Sequence, residues 1–313
     1  MLTRREFSVR LGAGLWAGAG VGVGASAIGG PVWAASEMQV GQAVLTSVSD
    51  GNLVLPGAFF FDDLPADELT PILQEAGVGR DEIRPPCNVT LLRDGERVIL
   101  FDVGSGSGFM PSAGALVDSL DALGVAPEDV THVVFTHAHP DHLWGVLDDF
   151  DDPLFYEAEH MIGKAEWDYW MDPNTVDTIG EARASFAVGA QRRLAAMEDQ
   201  MRFITDGEEV LPGVAAVASY GHTPGHLAFE VRQGNEAVLV GGDAIGNHHI
   251  ALARPDWQSG SDQDPEQGVA TRKALLDKLA TEQMPILGFH LPGGGLGRIE
   301  KAADGYRFIA GDL

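Results

Sequence analysis

The chain has 313 residues, 45% of them hydrophobic, enough for a sizeable core in one large domain or two small ones. It carries 46 acidic against 20 basic residues, a formal charge of −26 that repels phosphate backbones and anionic lipid and so argues against nucleic acid as partner. The single cysteine, Cys87, excludes an intrachain disulfide framework and reads as a small buried residue at a strand start.

Residues 1–34 have the three-part layout of an export signal. Arg4, Arg5 and Arg10 form the charged part, a weakly apolar Gly- and Ala-rich stretch follows, and Val32 and Ala34 offer small residues for cleavage. The run TRREF is similar to a twin-arginine signal, which implies export of a folded, metal-loaded protein to the periplasm or beyond, with no stable membrane association after cleavage. The expected mature part is one domain over 35–313.

From Ala43, AVLTSVSDGNLVLPG predicts two short strands around an Asp50-Gly51 turn. Phe59, Phe60 and Phe61 cannot all face one core, so the run is either a pocket rim or ordinary burial with one ring exposed. Asn88 to Gly104 predicts a hairpin around Asp94-Gly95. A helix capped by Ser112 should end at Gly124, and THVVFTH should be a buried strand. PLFYEAEH reads as a strand, and helices are expected over about 160–171 and 181–201, split at Pro173-Asn174. Trp167 and Trp170, at i and i+3, read as core packing, whereas Trp144 is placed to line a site. Strands return near Phe203, in EEVLPGVAAVASYGH and in HLAFEVRQGNEAVLVGGD, followed by a helix capped by Asp264 and three closing strands. Two halves, each with a β-run and helices, predict an α/β fold: a four-layer αββα sandwich.

The polar residues that follow the apolar strands are the informative ones. They are His137, His139, Asp141 and His142 in THAHPDH, His222 in GHTPGH, Asp243 in GGD and His290 in GFH. Packing gains nothing from four such groups within six positions, and desolvating them unpaired is costly, so a metal site is expected there. Imidazole and carboxylate without thiolate suit Zn2+, Mn2+ or Fe. Seven ligands exceed one tetrahedral ion and suit two divalent ions sharing a carboxylate, which together hold a hydroxide at neutral pH.

THAHPDH resembles the HxHxDH signature of the metallo-β-lactamase-fold hydrolases, and the resemblance extends over LLRDGERVILFDVG, GHTPGH, GGD and GFH. It implies one ion on His137, His139 and His222, a second on Asp141, His142 and His290, and Asp243 bridging both. The ions implied are Zn2+ foremost, with Mn2+, Fe2+ or Co2+ as alternatives. Asp102 in LFDVG matches an aspartate that orients a ligand histidine, His226 matches no ligand, and Asp141 is the implied proton shuttle to the leaving group. The export signal, EWDYW and the C-terminal segment look closest to methyl parathion hydrolase and exported lactonases. That implies a small-molecule ester, lactone or phosphotriester substrate cleaved by the metal-bridging hydroxide. Dimerisation is common in that group, although no segment of this chain demonstrates a homodimer. The alternatives are a β-lactamase-type amide hydrolase and a mononuclear iron persulfide dioxygenase. His248 and His249 stand where lactonases place a tyrosine, either as substrate contacts or in a solvated loop.

Overall fold

The computed structural model describes residues 36–311, so the expected export signal lies outside the described residues. Strands β1 (Glu37–Val40), β2 (Ala43–Asn52), β3 (Pro86–Asp94), β4 (Arg97–Phe101), β5 (His132–Phe135), β6 (Glu159–Gly163) and β7 (Met201–Ile204) form one sheet in chain order. Strands β8 (Glu209–Leu211), β9 (Val214–Ala218), β10 (Leu227–Gln233), β11 (Glu236–Val240), β12 (Ile286–Leu287), β13 (Leu296–Ala302) and β14 (Gly305–Ala310) form the second. Hairpins build the antiparallel parts. The parallel neighbours β4 to β7, and β11 with β12, need crossovers, and helices supply most of them.

Alternation along the strands produces the layers. In β5, Val134 points between the sheets, where it joins Phe101, Leu92, Phe229 and Val240. Val133 and Phe135 point outward, onto the helices α2 (Leu116–Ala122), α3 (Lys164–Met171) and α4 (Ala184–Met197). On the far side, Leu239 and Ile286 meet Leu276 and Leu279 of α6 (Pro265–Glu282). The result is helices, sheet, sheet, helices, the predicted αββα sandwich. No helix among the described residues is long and apolar enough to cross a membrane.

Several local expectations are corrected. Asp50-Gly51 is not a turn: β2 runs through it with a bulge, because the buried Asp50 carboxylate is recruited elsewhere. It accepts from the Ser105 N–H (2.9 Å) and hydroxyl (2.9 Å), and from the N–H groups of Gly114 (3.2 Å) and Leu116 (2.9 Å). Asp50 thereby caps α2 from a neighbouring strand, and Ser112 does not. The expected strand PLFYEAEH is mostly turns, with β6 beginning only at Glu159, and 160–163 is strand where helix was expected. The strand Glu82–Ile83, which pairs with Leu55–Pro56, and helix α1 (Ala66–Ala76) were not anticipated, nor was α5 (His248–Ala253). The α1 segment packs Leu69 and Leu73 against Phe61, Ile250 and Trp257.

Candidate metal centre

The strand ends of both sheets open at one edge. The loop after β5 carries His137 to His142, the β9–β10 loop carries His222, and the parallel neighbours β11 and β12 end side by side in Asp243 and His290. The sharp turn before Asp243 needs glycine: Gly242 has φ +50°, and a Cβ there would lie 2.6 Å from His226 Nε2. Asp102 at the end of β4 holds φ +66°, rare for a side-chain-bearing residue. Its carboxylate accepts from Thr136 N–H and Oγ1 and from His142 Nδ1, all at 2.8 Å, and these bonds hold the strained backbone in place.

Ligand-type atoms of the seven predicted residues converge in two groups. His137 Nε2 lies 3.0 Å from His139 Nδ1, which lies 2.9 Å from His222 Nε2. In the second group, Asp141 Oδ2 lies 3.5 Å from His142 Nε2 and 3.2 Å from His290 Nε2. Asp243 touches both groups, with Oδ2 3.4 Å from His222 Nε2 and 3.3 Å from His290 Nε2, and Oδ1 3.3 Å from His142 Nε2. Tetrahedral ligands at about 2.0 Å from a zinc ion stand roughly 3.3 Å apart, so this spacing suits a cation in each group.

The outward ring nitrogens complete the fit. His137 Nδ1 donates to Thr136 Oγ1 (3.0 Å), His142 Nδ1 to Asp102, His222 Nδ1 to Asp262 Oδ1 (3.4 Å) and His290 Nδ1 to the Pro86 carbonyl (2.7 Å). The Gln263 amide lies 3.1 Å from His139 Nε2, and Gln263 Oε1 is buried without a partner. Turned with its oxygen to the ring, this amide accepts a hydrogen bond from His139 Nε2–H, which gives Gln263 Oε1 a partner. With the outer nitrogens of His137, His139 and His222 protonated, their inner nitrogens turn lone pairs toward one another, an arrangement suited to a cation between them. Asp141 Oδ2, His142 Nε2 and Asp243 Oδ1 are likewise buried without hydrogen-bond partners. The chain therefore presents two His/Asp clusters suited to metal ions.

The two groups differ in charge. Burial and neighbouring histidines push His137 and His139 well below the usual imidazole range. Burial opposes charge on His142 and His290 too, but Asp243 and Asp141 outweigh it, raising His142 well above its usual value and His290 to about 10. Burial also pushes Asp141 and Asp243 up, and the same two histidines outweigh it, so both carboxyls end below their usual range.

Above the clusters opens a cavity of about 540 Å3. Leu53, Leu55, Phe59, Phe60, Phe109 and Phe186 give it apolar walls, and His139, Asp141, His222, Asp243 and His290 form part of its lining. The phenylalanine run serves both expected roles: Phe61 is buried, while Phe59 and Phe60 line the cavity. His248 and His249 also line it. Burial, with help from His249 and His290, lowers His248 to about 3 and keeps it neutral. Trp144 is not among the lining residues: it meets Phe109 edge to face and lies under Arg193 instead. His226 takes a supporting position, with Nδ1 2.7 Å from Ser219 Oγ and Nε2 accepting from Asp243 N–H at 3.0 Å.

Sequence reasoning missed three residues around the site. Asp262 pairs with the fully buried Arg272 (2.6 Å), which also donates to the carbonyls of Ile245 and Trp257. Gln263 and Asp262 directly precede the helix cap Asp264, the only signal in that stretch. Glu166 lies on α3, buried, between loops remote in sequence.

An αββα sandwich with paired His/Asp clusters at one sheet edge defines a metallohydrolase. The metallo-beta-lactamase superfamily model matches residues 83–282, and the chain belongs to that superfamily. Among solved structures, AidC, a dizinc quorum-quenching lactonase, is 26% identical with a TM-score of 0.83, over 90% of this chain and 99% of that one. The hydrolase AbOPH is 25% identical with a TM-score of 0.83, over 91% and 99%. The N-acyl homoserine lactonase AttM of Agrobacterium fabrum is 31% identical over 127 residues, 40% of this chain and 44% of AttM. The chain thus spans less than half the length of that relative.

Proposed function

We propose that the protein is a dinuclear metal-dependent hydrolase that opens the ester or lactone bond of a small, largely apolar substrate. The observation that carries this reading is the meeting of seven ligand-type side chains at the floor of an apolar cavity. His137, His139 and His222 would hold one ion, Asp141, His142 and His290 the other, and Asp243 both. When bound, the ions, Zn2+ foremost, supply Lewis acidity and water activation. The chain's residues do the rest. Phe59, Phe60 and Phe186 bury the apolar part of the substrate and exclude water. Asp141, ionised at neutral pH, would take a proton from the attacking water and return it to the leaving oxygen.

Likeness to AidC and AttM supports a lactone among the substrates. A persulfide dioxygenase needs one ion, and the complete second group supports two. The deciding experiment measures metal content and turnover of an acyl-homoserine lactone, p-nitrophenyl esters, a phosphotriester, a cephalosporin and glutathione persulfide. Two ions per chain with ester or lactone cleavage is expected. Turnover of the cephalosporin or the persulfide alone would overturn the reading. We further propose that residues 1–34 direct twin-arginine export, which replacing both Arg4 and Arg5 by Lys should abolish in cell fractionation.

A further inference from the structure

Glu166 is fully buried, yet among the described residues no lysine or arginine pairs with its carboxylate. Four donors take its place. Oε1 accepts from Ala138 N–H at 2.9 Å and Trp170 Nε1–H at 2.6 Å. Oε2 accepts from the Thr223 hydroxyl at 2.7 Å and Gly225 N–H at 3.0 Å. Ala138 lies between His137 and His139, and Thr223 follows His222, so one carboxylate fastens both loops that carry the three-histidine group. The close approach is built in: a Cβ on Gly225 would lie 2.0 Å from Glu166 N. The Asp141, His142, Asp243 and His290 group has no contact of this kind with Glu166.

We propose that Glu166 is a positioning residue that sets the spacing of His137, His139 and His222, and so the grip of that one site on its ion. This inference rests on the two-ion reading above. A carboxylate suits the role because it accepts at both oxygens at once. An amide in its place turns one acceptor into a donor facing N–H groups that cannot reverse.

The test follows metal release from the zinc-loaded protein into a chromogenic chelator, with total zinc per chain and a Co2+ absorption spectrum recorded in parallel. Wild type should hold two ions and release them in two phases. Glu166→Gln should speed one phase by about 10- to 100-fold, leave the other unchanged, alter the Co2+ spectrum and lower kcat more than it raises KM. Thr223→Val, which removes one donor, should move the same phase by a smaller factor, and it decides the matter should Glu166→Gln fail to fold. Both phases unchanged in a folded Glu166→Gln protein, or in Thr223→Val where only that variant folds, would overturn the proposal. Wild-type protein holding fewer than two ions would instead overturn the two-ion reading on which it rests.

Discussion

The three-histidine group and the carboxylate group lie within one contact of each other, yet they are built on opposite electrostatic plans. Burial and mutual repulsion keep His137 and His139 neutral, so their lone pairs are free in advance. Beside Asp141 and Asp243, His142 and His290 draw protons that an incoming cation must displace. One half of the centre is preformed for a cation, and the other is charge-compensated without it.

The largest way to break this comparison is His142→Ala. It should remove one of two ions and cut turnover by at least about 100-fold, more than the loss of an outer partner costs, as metal analysis and steady-state kinetics would read. Two retained ions at wild-type rate would show that His142 is no ligand. A medium effect concerns protons. Because His290 is pushed up to about 10 in the cation-free protein, ion uptake by its group at pH 7 should release protons, and binding at His137 and His139 should release almost none. Calorimetry in buffers of different ionisation heat would separate the two. In metal-stripped protein, the raised pKa of His290 contributes stability that is complete below about pH 6.5 and lost as pH rises through about 10. The lowered Asp243 acts oppositely: its contribution is present above about pH 3.8 and lost as pH falls further. A melting temperature of the stripped protein that climbs from pH 7 to 10 would contradict this. The smallest effect on metal binding is expected from Asp262→Asn, which weakens the 3.4 Å contact to His222 and should cost the three-histidine site about 10-fold in affinity, while leaving the buried Arg272 without its carboxylate should also lower the melting temperature.

What the sequence disclosed follows from how local each signal is. His137 to His142 announce themselves because four costly groups crowd one strand end, and the αββα order follows from runs of alternating and continuous apolar residues. Glu166 and Asp262 gave no such sign. A glutamate on a helix ordinarily faces water, and Glu166 is buried only because donors from residues 138, 223 and 225 reach it in three dimensions. Asp50-Gly51 misled for the same reason: a good turn pair locally, it was claimed by partners at 105, 114 and 116. Local chemistry pointed to where the candidate ligands begin, and long-range hydrogen bonding decides what holds those side chains.

One feature of the layout reaches beyond turnover. The ligands come from the ends of both sheets, from residue 137 to residue 290, so under the proposed reading the cations act as a clasp across the open edge of the sandwich. Neither half can unzip without letting go of its ions. Resistance to heat and proteases should therefore track the supply of metal in the surrounding medium.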